Sequence, residues 1–292
     1  LSIMGIALVV GGFLGVGIVL LRNWLRRGID SVTEIERLGL PVFATVNSYS
    51  GQVKYTAGRL ALIARDDPED VVVEALRSLR TSLHFGMLDA RSKSIVVTSA
   101  APGAGKSFIS ANLACVAAQA GQKVCLIDAD MRRGTLRKYF GLPKKLLGLT
   151  DYLSDAVELE SVLRDSEISN LSLIVTGAFP PNPSELLMRD RLAELIAELD
   201  RRFDLVIFDA PPMLAVTDAA IIGRKAGSVI GVARHLVTPV EELEAVQKTL
   251  EAAGVSLKGI VFNGYDPRRA KGGRSGYSYG NRYAYKRSEQ GD

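Results

Sequence analysis

The chain has 292 residues but only two cysteines, two histidines and one tryptophan. Two cysteines exclude a disulfide-built secreted scaffold and any four-cysteine metal site. Cys115 and Cys125 sit in apolar contexts on different elements and read as core. His84 and His235 lack metal-ligand spacing. The charge excess is small, 36 Lys+Arg against 32 Asp+Glu, and no internal repeat is visible. With 47% hydrophobic and 23% charged residues, wholesale disorder is excluded. The length suits one large domain or two small ones.

Charge is absent altogether from residues 1–21, LSIMGIALVVGGFLGVGIVLL. At 1.5 Å per residue this stretch spans roughly 30 Å, the hydrocarbon thickness of a bilayer. Arg22, Arg26 and Arg27 come next, with Trp24 among them, so the positive-inside rule places this flank and the rest of the chain in the cytoplasm. A signal peptide would carry its positive charge first and a small-residue cleavage site after. A membrane span is therefore expected rather than a buried helix, and the chain reads as the C-terminal part of a longer membrane protein. Gly11 and Gly15 form a GxxxG of weak specificity.

The excess positive charge lies at the other end. Residues 265–292 hold seven Lys/Arg and three Asp/Glu, leaving 29 of each sign elsewhere. This tail has almost no aliphatic residues and cannot form a core. Yet it holds Tyr265, Tyr277, Tyr279, Tyr283 and Tyr285, five of the nine tyrosines. It reads as a solubilising tail, as an arm for nucleic acid or a membrane surface, or as a multi-site phosphorylation target.

Between the ends, residues 22–66 read as a juxtamembrane linker with a turn at Leu38–Pro41. A helix is expected from Asp67 as N-cap, with Pro68 at its first position, through Phe85. Glu74, Arg77 and Arg80 lie three apart on a stripe separate from its apolar face, as an intrahelical ion pair or a charged contact surface. Strands are expected at Ser94–Ser99, Lys123–Ile127, Leu171–Thr176, Leu205–Phe208, Ser228–Val232 and Lys258–Phe262. Helical stretches include Phe108–Ala120, Glu185–Arg201 and Pro239–Ala253. Continuous apolar strands alternating with amphipathic helices imply one α/β domain over residues 67–264, with a doubly wound, mostly parallel sheet.

Residues 94–107, SIVVTSAAPGAGKS, place a Gly-rich turn between a strand and a helix. This is a P-loop in its required context, although Ala100 occupies the first glycine position of the strict motif. Gly103, Ala104, Gly105 and Phe108 belong to the phosphate-wrapping turn and helix start. Lys106 would reach the β- and γ-phosphates, and Ser107 would ligate Mg²⁺. Asp128 and Asp130 follow one buried strand and Asp209 another, at the sheet edge where ligands bind. Asp209 fits a Walker B carboxylate. Asp128 fits metal binding, or orientation and deprotonation of a hydroxyl nucleophile. The sequence has no HRD or DFG motif, which excludes a eukaryotic-type protein kinase.

These residues together resemble the bacterial tyrosine kinases of the polysaccharide co-polymerase type. Ser99–Ser107 resembles their Walker A, Val124–Arg132 with its DxDxR their Walker A′, and Leu205–Pro212 their Walker B. GLTDYL at 148–153, PNPSELL at 181–187 and LGLPVFATV in the linker match as well, as does the tyrosine-rich tail. Glu74-Arg77-Arg80 is similar to the ExxRxxR element of ring assembly. The resemblance implies binding of ATP and Mg²⁺ by Lys106 and Ser107, with Asp128, Asp130 and Asp209 organising metal and nucleophile. It implies phosphorylation of Tyr277, Tyr279, Tyr283 and Tyr285 in trans within a homo-oligomeric ring at the bacterial inner membrane. It further implies partnership with polysaccharide polymerisation and export machinery and a tyrosine phosphatase, and no nucleic-acid partner. Asn263 matches a position that contacts adenine in related P-loop proteins. A regulatory tyrosine ahead of the P-loop has no clear counterpart. The rival readings are a ParA/MinD-like ATPase, whose second P-loop lysine is replaced here by Ala101, and a nucleotide-binding scaffold without phosphotransfer.

Overall fold

The computed structural model describes residues 11–15, 17, 28–49, 55–56, 59–87 and 90–270. The strands are β1 (Val42–Asn47), β2 (Tyr55–Thr56), β3 (Arg59–Leu60), β4 (Ser94–Ser99), β5 (Val124–Asp128), β6 (Arg164–Asp165), β7 (Leu171–Ile174), β8 (Leu205–Asp209), β9 (Ser228–Arg234) and β10 (Leu257–Tyr265). Eight form one sheet in the order β1-β10-β9-β4-β8-β5-β7-β6, and β2 and β3 form a separate hairpin. Every neighbouring pair in the sheet is parallel except β6 with β7. The six strands expected from the apolar runs all form, with ends shifted by at most three residues.

Period-two alternation explains why those runs are apolar throughout. Ile95, Val97, Val124, Leu126, Leu205 and Ile207 face one core layer. Val96, Cys125, Ile127, Val206 and Phe208 face the other. The first layer is covered by the helices Val71–Gly86 and Lys106–Gln119, the second by Asp190–Arg202, Asp218–Gly223 and Val240–Ala252. Both faces are thus buried, as a doubly wound parallel sheet requires. Both cysteines are free and buried, and burial pushes the Cys115 thiol up to about 11.

Three local expectations are corrected. The helix expected from Asp67 begins at Val71, because the Asp70 carboxylate, not Asp67, accepts the Val72 amide as N-cap. The stretch expected as one helix over Glu185–Arg201 is two, Pro183–Met188 and Asp190–Arg202, separated at Arg189 by an extended backbone with ψ of 155°. The segment read as linker contributes β1 to the sheet edge, and Ile29, Ile35, Leu40 and Val46 are buried. Residues 28–49 are therefore part of the folded unit.

The expected span at residues 1–21 lies mostly outside the described residues. Residues 11–15 and 17 are helical, with Phe13 and Leu14 exposed. Among the described residues no helix is long and apolar enough to cross a membrane. Tyr277, Tyr279, Tyr283 and Tyr285 also lie outside the described residues.

The two ends of the described domain meet at one histidine. The Ile29 amide donates to the Thr238 carbonyl at 2.9 Å, and the Leu236 amide to the Ile29 carbonyl at 2.8 Å. A Cβ on Gly28 would lie 2.2 Å from the Leu236 carbonyl carbon, so only glycine allows this approach. The buried His235 ring accepts the Asp266 amide at Nδ1, 3.2 Å, which leaves Nε2 to donate to Asp30 Oδ1 at 3.1 Å. Phe262 and Tyr265 pack edge-on and tilted against the same ring.

Candidate active site

The carboxyl ends of β4, β8 and β5 lie side by side, and register fixes what sits there. Asp128 pairs directly with Asp209 across β5 and β8, while β4 runs into the P-loop. Gly103 and Gly105 have φ of 87° and 96°, left-handed values that glycine adopts without strain. A Cβ on Gly105 would also lie 2.1 Å from the Asn263 amide nitrogen. The helix Lys106–Gln119 therefore opens from a turn of bare backbone, the arrangement that presents N–H groups to phosphate.

Lys106 Nζ lies 3.3 Å from Asp130 Oδ2 and 3.8 Å from Asp209 Oδ1. The Ser110 hydroxyl donates to Asp209 Oδ1 at 3.4 Å. Asp209 Oδ2, fully buried, has no hydrogen-bond partner among the described residues. Asp128 is held by the Leu136 amide at 2.8 Å on Oδ2 and the Asp130 amide at 3.3 Å on Oδ1. The Arg132 and Arg133 amides hold Asp130 Oδ1 at 3.3 and 3.2 Å. Ser107 shares a 3.0 Å hydroxyl contact with Thr135.

Burial, and then the charge of Asp209, push the Asp128 carboxyl up to about 7, against the Leu136 amide and Lys106. Burial likewise raises Asp209, opposed first by Lys106 and then by the nearby Ser107 hydroxyl. Three buried carboxylates, Asp128, Asp130 and Asp209, with Lys106 paired to the last two, leave excess negative charge in low dielectric. A divalent cation removes that cost, and the orphaned Asp209 oxygen beside the Ser107 hydroxyl suits its chemistry. Among the described residues no three His, Cys, Asp or Glu side chains gather closely enough to hold an ion alone. Phosphate oxygens complete such a shell for Mg²⁺.

The structure thus brings Gly103, Ala104, Gly105, Lys106, Ser107, Asp128, Asp130 and Asp209 into one site. Two other expected members have packing and bracing contacts of their own. The Phe108 ring packs against the core layer beneath the P-loop helix. Asn263, mostly buried, donates from its side-chain amide to the Ala104 carbonyl at 2.9 Å and so braces the P-loop. Glu74 and Arg77 pair with each other on the exposed side of their helix, and Arg77 also reaches the Pro68 carbonyl at 3.3 Å. Arg80 lies half-buried on the same helix.

Sequence reading missed several supports. Arg234 donates to the Gly103 carbonyl at 2.9 Å, from 131 residues away. Asp218, fully buried, accepts Ser184 Oγ at 2.6 Å on one oxygen and Arg132 on the other. That bridge ties the Walker A′ turn to the helix Pro183–Met188. Arg132 and Ser184 do lie in stretches that stand out, DxDxR and PNPSELL, but nothing in the sequence marks Asp218 or Arg234.

A family model described as an AAA domain matches residues 92–252. Tyrosine-protein kinase etk of Escherichia coli (strain K12) is 40% identical over 286 residues, 93% of this chain and 39% of that protein. The chain thus spans about two fifths of that relative. Among solved structures, the kinase domain of Escherichia coli tyrosine kinase ETK is 40% identical with a TM-score of 0.76, covering 81% of this chain and 95% of that one. The BceF tyrosine kinase domain is 44% identical with a TM-score of 0.76, covering 82% and 100%. The septum site-determining protein MinD of Pyrococcus horikoshii, complexed with Mg-ADP, is 23% identical with a TM-score of 0.51 over 59% of this chain, and shares the fold alone. With the P-loop, both acidic strand ends and near-complete coverage of two kinase domains in agreement, the chain belongs to the bacterial tyrosine kinases.

Proposed function

We propose that the chain transfers the γ-phosphoryl group of ATP to Tyr277, Tyr279, Tyr283 and Tyr285 of a neighbouring copy. The observation that carries this is the row of groups along the sheet edge. The P-loop on β4 and the carboxylates on β8 and β5 stand on three adjacent strands, with Lys106 reaching both Asp130 and Asp209.

The P-loop amides and Lys106 bind and orient the phosphate chain, and Asn263 and Arg234 keep that loop in shape through the Ala104 and Gly103 carbonyls. Ser107, Asp209 and Asp128 would hold Mg²⁺, which when bound neutralises charge on the phosphate oxygens. Asp128 orients the acceptor hydroxyl and takes its proton, while Asp130 positions Lys106. Phosphoryl transfer needs positioning and charge neutralisation more than covalent help, so these roles suffice. The same reading gives Asn263 a contact with adenine beside its bracing role.

The same reading includes a homo-oligomeric ring assembled through Glu74, Arg77 and Arg80. It places the domain at the cytoplasmic face of the bacterial inner membrane, anchored by residues 1–21. The partners are then polysaccharide polymerisation and export machinery and a tyrosine phosphatase. Each phosphotyrosine adds about −1.5 to −2, so four would take the tail from +4 to roughly −2 to −4. A sign reversal of that size suits a switch in ring assembly.

Intact-mass and phosphopeptide analysis after incubation with MgATP tests the reading. Phosphate on the four tail tyrosines is expected, and none in Lys106→Met. ATP consumption without phosphotyrosine would favour a MinD-like ATPase instead, and binding without turnover a scaffold.

A further inference from the structure

A cleft of about 230 Å³ opens on the other side of Asp128 from the P-loop. Its walls come from the turn after β5, the loop near residue 144 and the segment after β7. Along the sheet the order is β4, β8, β5, β7, so the phosphate-binding turn and the cleft flank the two carboxylates. The cleft is smaller than the roughly 300 Å³ at which small-molecule pockets begin, and is of a size for one aromatic side chain.

Its lining has two characters. Leu146, Pro143 and Phe179 are apolar, and Phe179 is 62% exposed. The Phe179 ring lies over Gly134 of the Walker A′ turn, where a Cβ would come within 3.2 Å of it. Arg137 and Lys144 are the cationic members, and Asp128 is the only carboxylate in the lining. No hydrogen bond or ion pair engages the Arg137 or Lys144 side chain among the described residues. A ring with a hydroxyl fits the apolar part and its carboxylate end, while the cations call for an anion.

The tail sequence supplies both in one motif. Tyr277 and Tyr279, and again Tyr283 and Tyr285, are two residues apart. In an extended chain such residues share one face about 7 Å apart. We propose that this cleft takes the acceptor tyrosyl side chain, with its ring against Phe179 and Leu146 and its hydroxyl toward Asp128, and that Arg137 and Lys144 receive a phosphotyrosine two residues away. The first phosphate in a pair then makes the second tyrosine the better acceptor. This rests on the kinase reading above. In the transfer the phenolic oxygen forms a bond to the γ-phosphorus and the bond from that phosphorus to the β,γ-bridging oxygen breaks. The bond's electron pair leaves with ADP, and the phenolic proton is released to solvent.

The test uses the full chain with its four tail tyrosines changed to phenylalanine, MgATP, and two synthetic peptides spanning residues 280–290. Both keep Tyr283; position 285 carries phosphotyrosine in one and phenylalanine in the other. Initial rates are read by mass spectrometry. The phosphorylated peptide is expected to show a KM about tenfold lower. The double variant Arg137→Gln, Lys144→Gln is expected to abolish that difference. Phe179→Ser is expected to raise KM for both peptides by about tenfold, with a smaller change in kcat. Thermal unfolding of each variant reports its fold. Equal KM values in the parent chain, or a preference that survives the double variant, would overturn the inference while leaving the kinase reading intact. Absence of phosphate on both peptides and on the unsubstituted chain would overturn the kinase reading, and the inference with it.

Discussion

Asp209 and Asp218 are nine residues apart, equally inaccessible to solvent, and opposite in circumstance. Asp218 has both oxygens engaged, by Ser184 and Arg132. Asp209 leaves one oxygen without a partner among the described residues, and burial raises its pKa. A folded chain seldom keeps a buried carboxylate half-satisfied unless something else completes it. The contrast separates a carboxylate that holds the fold from one that is open to a ligand.

Removing each charge in turn should break the contrast open. Asp209→Asn is expected to lower phosphotransfer at least about a thousandfold, with no loss of stability in urea unfolding. Asp218→Asn is expected to cost about 1–2 kcal/mol, because the buried hydrogen bonds to Ser184 and to the part-exposed Arg132 lose their charge assistance, while the folded fraction keeps its activity within about tenfold. An Asp218→Asn protein that unfolds normally but transfers no phosphate would erase the distinction.

A smaller effect concerns pH. The Asp128 carboxyl is raised to about 7 from 3.8 by burial and Asp209. The folded state therefore holds a proton that the unfolded chain has released between those values. Its stabilisation is complete below the unfolded value and is lost as pH rises through about 7. Thermal unfolding without nucleotide should show stability falling from pH 5 to pH 8, with a shallower fall in Asp128→Asn. An unchanged slope in the variant would remove Asp128 as a source.

The smallest effect is expected at Glu74, whose partner Arg77 is 41% exposed. Glu74→Ala should change unfolding stability by less than about 0.5 kcal/mol. If the ring proposal holds, it should lower the oligomer mass measured by light scattering. A large stability loss would show instead that the pair supports the helix.

The sequence disclosed the site wherever spacing along the chain matched proximity in space. Gly103–Ser107, Asp128 and Asp130 are short-range patterns at the end of apolar runs, and Asp209 closes another such run. Asp218 and Arg234 reach the site only through sheet order, which apolar periodicity does not specify, so no local signal marked them. Segment boundaries failed where side chains decided between alternatives. Asp67 and Asp70 are equally good caps by composition, and the Val72 amide chose the second. Residues 28–49 have only short apolar runs, and the burial of β1 depends on the β10 edge it pairs with.

His235 grips the chain near residue 28 and again at Asp266. That makes it a common pivot from which the C-terminal segment is tethered. Eleven residues separate Asp266 from Tyr277 and nineteen separate it from Tyr285, leashes of at most about 40 and 65 Å. Local concentration at any target falls as leash length exceeds the span and vanishes when it is too short. Tyr277 can therefore reach no target more than about 40 Å from Asp266, and Tyr285 none beyond about 65 Å. Moving the same four tyrosines along the leash would retune who can be reached without touching the catalytic residues.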